Sequence, residues 1–174
     1  KNFRNEGMDK NHNPEFTMLE FYCAYSDVYD MLDLTENMIR STVQYLQSNF
    51  SDFVIEIDFM KKFEIYSFFE KLNEESKVDF KTISKDEVYE ILLKSKVAVD
   101  KKMSFGKLLD KAFSHFVEPK LINPTFIVDY PLELSPLAKQ KRDSDENIVE
   151  RFELFVSGME IANSFSELND PLEQ

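Results

Sequence analysis

The 174-residue sequence contains one cysteine, three glycines, six prolines and no tryptophan. A single cysteine, Cys23, cannot form an internal disulfide, which excludes the disulfide-rich secreted folds and fits a reducing compartment. The low glycine and proline content excludes collagen-like and low-complexity chains. No apolar run is long enough to cross a bilayer, no signal-peptide core follows the N-terminus, and no cysteine–histidine spacing indicates zinc.

Positive charge is also scarce, with 21 Lys and Arg against 33 Asp and Glu, a formal net charge of −12. This balance argues against a broad nucleic-acid-binding surface but leaves a local RNA contact open. It suits a pocket for a cationic ligand, although a solvated acidic surface is the commoner cause of such a charge. Apolar residues, by contrast, make up 43% of the chain, including 17 Phe. That content is sufficient for the core of one domain.

The hydrophobic periodicity predicts an α+β fold with an antiparallel sheet, flanking helices and no internal repeat. Residues 70–118 are predicted to form a helical insertion without a catalytic constellation. The predicted elements are strands over 1–7 and 15–25, a helix over 27–49, a strand over 53–57, a strand turning into a helix over 63–69, helices capped by Ser84 and Ser104, a strand over 125–131, and two strands within 150–170 around a turn at Ser157-Gly158.

The first predicted hairpin carries a polar cluster. Because side chains alternate along a strand, Glu20 shares a face with Met18 and Tyr22. A carboxylate between apolar neighbours is costly unless a cation pairs with it. Phe16 lies on the same face, and Arg4 lies on the preceding strand. The hairpin is therefore a candidate pocket for a charged ligand. Cys23 falls on the opposite face and is expected to be a core thiol.

The last two predicted strands carry a second cluster. Glu153 and Glu160 flank the turn between these strands, so both carboxylates can reach one point. Two converging carboxylates with open water positions suit Mg²⁺. Asn163, Phe165 and Glu167 alternate at period two and share a face. Glu160 is out of phase with them, so a bulge or a turn is expected between Glu160 and Asn163 if all four face one site.

Two stretches that carry these clusters resemble a known family. The sequence FRNEG, followed by a short loop and HNPEFTMLEFY, resembles the second signature motif of class II lysyl-tRNA synthetases. The later GMEIANSFSEL resembles another signature of that family. The resemblance covers both ends of the chain well and the middle loosely. It implies the class II catalytic-domain fold, ATP-dependent activation of L-lysine, transfer to tRNA(Lys), and a cytoplasmic homodimer in the full-length enzyme.

The resemblance also implies roles in binding ATP. Arg4 would be the catalytic residue, because it would bridge the α-phosphate and the substrate carboxylate. Glu6 and the backbone near Asn13 would address adenine, and Phe16 would stack on the adenine ring. His12 would reach the outer phosphates or the tRNA end.

For lysine, the resemblance implies that Glu20 contacts the amino end of the substrate. Tyr22 and Glu167 would receive the ε-ammonium, Asn163 would contact the carboxylate, and Phe165 would line the aliphatic stem. The carboxylates that would hold Mg²⁺ on ATP are Glu153 and Glu160.

Three parts of the resembled family are expected to lie outside this sequence: the N-terminal OB-fold anticodon domain, motif 1 and motif 3. Residues 1–174 are therefore expected to be a partial catalytic domain, divided into 1–69, 70–118 and 119–174. Alone, they are expected neither to activate lysine nor to fold fully. The alternatives are a paralogue that lysylates a protein, and a remnant that binds lysine or ATP without catalysis. An aspartyl or asparaginyl relative would lack the pairing of glutamate and tyrosine for the ammonium group.

Overall fold

A two-stranded sheet and a four-stranded sheet contain the strands of the computed structural model, which describes residues 1–5, 7–8, 12–142, 144 and 147–172. The elements of these residues are β1 (Asn2–Phe3), β2 (Glu15–Phe16), α1 (Val28–Asn49), β3 (Glu64–Ser67), α2 (Phe68–Ser76), α3 (Lys85–Lys94), α4 (Phe105–Phe116), β4 (Thr125–Pro131), β5 (Ile148–Val156) and β6 (Met159–Phe165). Short 3₁₀ turns occupy Glu118–Lys120 and Leu132–Leu134.

The helices begin where their capping residues stand. Asp27 caps α1, Ser84 caps α3 and Ser104 caps α4, and each side chain accepts hydrogen bonds from the first-turn backbone. The predicted helices at these caps are therefore confirmed. Ser67 forms a capping box with Glu70, which explains why β3 turns directly into α2. None of the described helices is long and apolar enough to cross a membrane.

The larger sheet has the strand order β3-β4-β5-β6. Strands β4, β5 and β6 are antiparallel neighbours, so the predicted α+β fold with an antiparallel-rich sheet and flanking helices is confirmed. The pair β3 and β4 is parallel, which the sequence did not predict. Parallel neighbours need a long crossover, and α2, α3 and α4 provide it.

The two faces of this sheet pack against different helices. One core joins α2, α3 and α4 to residues such as Ile127, Val149 and Phe155. The other core joins α1 to residues such as Phe152 and Leu154. The apolar residues of β5 therefore divide between the two cores according to the face on which they lie, as expected for a strand with elements packed on both faces.

Three predicted strands are shorter than expected or absent. Strands 1–7 and 15–25 are reduced to β1 and β2, because the ladder joins only Asn2 to Phe16 and Phe3 to Glu15. The predicted strand over 53–57 was wrong, since no ladder forms there. Its alternating pattern instead packs Ile55 and Ile57 against the α1 core. This segment also lines a cavity of about 240 Å³ that contains none of the predicted site residues.

Candidate functional site

The small hairpin brings together three of the residues predicted to bind ATP. The guanidinium of Arg4 lies over the ring of Phe16, with Cζ 5.3 Å from the ring centroid. The backbone N–H of Arg4 donates to the carbonyl of Pro14 at 3.0 Å. The side-chain oxygen of Asn13 accepts from the backbone N–H of Glu15 at 3.4 Å. These contacts place a cation over one face of an aromatic ring, and such a pair suits a ligand that carries a phosphate and a base.

Other residues predicted from the first motif are not enclosed. Tyr22 leaves 82% of its surface exposed, and Glu20 and His12 are exposed as well. Glu6 lies outside the described residues. The expectation that Cys23 is a core thiol was wrong, because it is exposed, with its sulfur 3.2 Å from the hydroxyl of Ser26. The physical reason is the missing ladder: no strand of the described chain pairs with residues 17–25.

The second cluster lies on one face of β5 and β6. Glu153 pairs directly with Asn163 across the two strands. The register then shifts, so that Leu154 pairs with Ala162 while Phe155 pairs with Glu160. This irregularity is the predicted bulge, and it is confirmed. It turns the side chain of Glu160 to the same face as the side chains of Glu153 and Asn163.

Glu153 is held by protein donors at both oxygens. The hydroxyl of Tyr130 donates to Oε2 at 2.7 Å, and Arg151 donates from its NH2 group to Oε1. The side chain of Glu153 is 12% exposed. Burial, followed by the charge and hydrogen bond of Glu153, raises the pKa of Tyr130 well above its ordinary value, so the phenol keeps its proton and donates. The carboxylate is therefore fixed in position before any ligand arrives.

Glu160 is electrostatically unfavourable in its own surroundings. Its outer surface is exposed, but the neighbouring protein removes water from the carboxylate. This desolvation, followed by the negative charge of Glu153, raises the pKa of Glu160 to about 7. Glu118, on the first 3₁₀ turn, adds a third negative charge nearby. A cation between Glu153 and Glu160 would relieve this repulsion.

The donor set therefore fits Mg²⁺, which prefers hard oxygen ligands and keeps several water or phosphate positions. Glu153 and Glu160 would hold the ion. Within the residues that the structure describes, no group of three or more histidine, cysteine, aspartate or glutamate side chains is arranged to hold a metal. An ion at the pair would thus take its remaining ligands from water or from a substrate phosphate.

Phe165 and Glu167, the remaining predicted residues at or just after the end of β6, lie on the same face as Asn163. Phe165 pairs across the strands with Arg151 and is 37% exposed, so it lines a surface and not the core. Glu167 forms an isolated bridge with Ala138 and is exposed. Between them, Ser166 points to the opposite face, where its hydroxyl donates to Glu150 at 2.7 Å. That contact fixes the backbone from which Phe165 and Glu167 project.

The turn between the carboxylates is supported by the end of the helical segment. The backbone N–H groups of Ser157 and Gly158 donate to the carbonyls of Ile122 and Leu121, at 3.0 and 2.9 Å. Gly158 has φ +72°, and a Cβ there would lie 3.2 Å from the carbonyl oxygen of Glu118. Both the left-handed backbone and the close approach require glycine. The distance between Glu153 and Glu160 therefore depends on the packing of this turn against residues 118–122.

Two residues of the site were not predicted. Arg151 stands two positions before Glu153, and a strand places such residues on one face. That spacing was a usable signal for a cation beside the carboxylate. Tyr130 has no such signal, because its contact with Glu153 depends on how β4 and β5 pair.

Comparison with known proteins extends this description to the whole chain. The family model for tRNA synthetases class II (D, K and N) matches residues 1–174. A lysine–tRNA ligase of Helicobacter pylori (strain G27) is 46% identical over 179 residues, covering 100% of this chain and 35% of the relative. A lysine–tRNA ligase of Helicobacter hepaticus (strain ATCC 51449 / 3B1) is 48% identical over 177 residues, covering 100% of this chain and 34% of the relative.

A protein of Vairimorpha ceranae (strain BRL01) named probable lysine–tRNA ligase, cytoplasmic, is 41% identical over 191 residues, covering 100% of this chain and 37% of the relative. The chain thus spans about a third of the length of the curated relatives it matches. The match of the family model over every residue, together with these identities, places the sequence in one family. The chain belongs to the class II tRNA synthetases of the D, K and N group.

Proposed function

We propose that this chain is part of the catalytic domain of a lysine–tRNA ligase. The enzyme would activate L-lysine with ATP to lysyl-adenylate and transfer the lysyl group to tRNA(Lys). The observation that carries the proposal is the shared sheet face of Glu153, Glu160, Asn163 and Phe165, in a chain whose relatives are named lysine–tRNA ligases. The division into a hairpin region over 1–69, a helical insertion over 70–118 and late strands over 119–174 remains part of this proposal.

The first step is an in-line attack of the lysine carboxylate on the α-phosphate of ATP, which breaks the bond to the β-phosphate oxygen and releases pyrophosphate. It needs alignment and charge neutralisation more than a general base. Mg²⁺, when bound by Glu153 and Glu160, supplies part of the charge neutralisation. Arg4 bridges the α-phosphate and the attacking carboxylate. The amide of Asn163 donates to the same carboxylate and holds it in line.

The base and outer phosphates of ATP are assigned to the hairpin. Phe16 stacks on adenine, and its contact with the guanidinium of Arg4 supports that assignment. Glu6 and the backbone near Asn13 accept and donate at the adenine edge. His12 addresses the outer phosphates or the tRNA end.

Selectivity for lysine is assigned to a charged acceptor and a hydroxyl. Glu167 and Tyr22 receive the ε-ammonium, Phe165 covers the aliphatic stem, and Glu20 contacts the α-amino group. A neutral analogue would leave the carboxylate unpaired, at a cost of roughly 1–3 kcal/mol. Tyr22 and Glu167 are both exposed. The proposal therefore requires the segments that carry these two residues to fold over the substrate.

The proposal also includes the oligomeric state, the cellular location and the substrates. Homodimerisation and a cytoplasmic location follow from the family resemblance, and the Vairimorpha relative is named as a cytoplasmic enzyme. L-lysine, ATP and tRNA(Lys) are the substrates, and Mg²⁺ accompanies ATP.

Exchange of pyrophosphate into ATP tests the function in the full-length protein. We expect exchange that depends on L-lysine and not on L-aspartate or L-asparagine. Glu167→Gln should lower kcat/KM for lysine roughly 10²-fold, because about 3 kcal/mol of charge-assisted hydrogen bonding is lost.

Asp170→Asn is the matched control, since Asp170 is an exposed carboxylate three positions further along the chain. Its kcat/KM for lysine should stay within twofold of the wild type. Exchange stimulated by aspartate or asparagine alone would contradict the proposed function. Normal lysine kinetics in Glu167→Gln would refute only the ammonium assignment.

A further inference from the structure

Arg151 lies at the centre of the polar face of β5. Its side chain is 16% exposed, which is low for an arginine. The guanidinium lies over the ring of Tyr130, with Cζ 4.7 Å from the centroid. Its NH1 group donates to the carbonyl of Leu134 at 3.1 Å and to the hydroxyl of Ser135 at 2.5 Å. These contacts fix the plane of the guanidinium from one side.

The other two nitrogens of the Arg151 guanidinium contact both the proposed cation site and the proposed amino-acid pocket, which are the two halves of the site. The NH2 group of Arg151 donates to Oε1 of Glu153, and Nε donates to Oδ1 of Asn163 at 3.3 Å. Glu153 belongs to the cation pair, whereas Asn163 belongs to the amino-acid pocket. One rigid planar group therefore touches a residue of each half.

The contact with Asn163 also sets the direction of its amide. Because Oδ1 accepts from Nε of Arg151, the NH₂ group points the other way, and it lies close enough to Glu160 to lower the pKa of that carboxylate. The amide thus presents donors, which is what a substrate carboxylate needs. A rotated amide would present its oxygen and repel that carboxylate.

We propose that Arg151 is a positioning residue that couples cation binding to amino-acid binding, by orienting Glu153 and Asn163 with one guanidinium. The inference rests on the proposed function. A lysine at this position keeps the charge but cannot donate along three fixed directions. Charge and orientation can therefore be separated by one substitution.

The test measures binding rather than turnover. Mn²⁺ alone, followed by its electron paramagnetic resonance signal, reports the cation site of the full-length protein. Calorimetry with L-lysine, with and without Mn²⁺ and a non-hydrolysable ATP analogue, reports the coupling between the two halves. For Arg151→Lys we expect Mn²⁺ affinity to fall roughly 10–100-fold, as for other residues that orient metal ligands. Lysine binding should also weaken, and its dependence on Mn²⁺ should disappear.

Ser135→Ala is the conservative second variant. Ser135 is buried and touches Arg151 from the far side, so its loss loosens the guanidinium without removing a donor to Glu153 or Asn163. We expect the same two effects, each roughly three- to tenfold, since about 1 kcal/mol of hydrogen bonding is removed.

Arg40→Lys is the matched control. Arg40 pairs with the buried carboxylate of Glu36 on α1, at 2.5 Å and away from the polar face. It should lower stability and leave both affinities within twofold. Unchanged affinities and coupling in folded Arg151→Lys and Ser135→Ala would overturn the inference while the proposed function stands. A wild-type protein that binds neither Mn²⁺ nor lysine would overturn both.

Discussion

Glu153→Gln and Glu160→Gln are each expected to reduce lysine-dependent ATP–pyrophosphate exchange roughly 10²–10³-fold. Each variant leaves one hard anionic ligand at a site that would hold a divalent cation with two. The loss should appear mainly in kcat, because charge on the phosphate grows as the α-phosphate is attacked. Initial rates of exchange at saturating lysine and ATP, over a range of Mg²⁺ concentrations, provide the measurement.

Glu118→Gln is the control for this loss. Glu118 contributes negative charge near the pair but lies on a 3₁₀ turn outside β5 and β6, where its carboxylate accepts from the hydroxyl of Ser114 at 2.7 Å. Its exchange rate should stay within about threefold of the wild type. Equal losses in all three variants would mean that general negative charge matters and not ligation. Full activity of either β5–β6 variant would refute the metal assignment.

Arg142→Met is expected to lower the free energy of unfolding by about 3 kcal/mol at pH 7. The side chain of Glu150 is 2% exposed and accepts from Arg142 at 2.7 Å and from Ser166 at 2.7 Å. Without the Arg142 side chain, the buried carboxylate keeps the Ser166 hydroxyl and a long contact, 3.4 Å, from the backbone N–H of residue 142. This loss is at the low end of the usual cost of breaking a buried ion pair, because Arg142 is 61% exposed and water can enter in its place. Urea unfolding provides the measurement.

Glu150→Gln, alone and combined with Arg142→Met, isolates the buried charge. Asp27 loses its contact with Arg142 in both variants and keeps its two backbone donors in α1. In the double variant the buried charge of Glu150 is gone as well, so we expect it to be more stable than Arg142→Met. A double variant that is less stable than either single variant would contradict this explanation.

The pH dependence of the same variants gives a second check. Burial alone would raise the pKa of Glu150, but hydrogen bonds from Arg142 and Ser166 outweigh it and lower the pKa below 4.5. In the wild type this group therefore stabilises the fold above its ordinary pKa, and the effect is lost as pH falls through the lowered value. In Arg142→Met burial dominates, so the penalty grows as pH rises above 4.5. The difference between the two proteins should be largest near neutral pH and shrink in acid.

Local signals in the sequence predicted much of the fold. The caps at Asp27, Ser84 and Ser104 fix where helices begin, because each side chain accepts from a backbone N–H two or three residues further along the chain and needs no distant partner. The bulge before Asn163 could be predicted as well, since two functional sets out of phase on one strand need an extra residue between them.

The features of the fold that could not be predicted from the sequence depend on contacts between residues distant along the chain. Residues 17–25 have strand composition, but a strand forms only where a neighbour supplies the other half of the ladder. The prediction that Cys23 is a core thiol was wrong for the same reason. The parallel pairing of β3 with β4 depends on a crossover, and the contact of Tyr130 with Glu153 depends on the register between β4 and β5.

The parallel pair β3–β4 has a consequence for the order of folding. Strands β4, β5 and β6 follow one another along the chain and pair as neighbours, so their contacts close shorter loops than the crossover between β3 and β4 does. Glu64 pairs with Thr125 only after the whole helical crossover between them has been closed. Contacts of high sequence separation form slowly. The polar face of β5 and β6 should therefore gain amide protection before β3 in pulsed hydrogen-exchange labelling, and earlier protection of β3 would contradict this order.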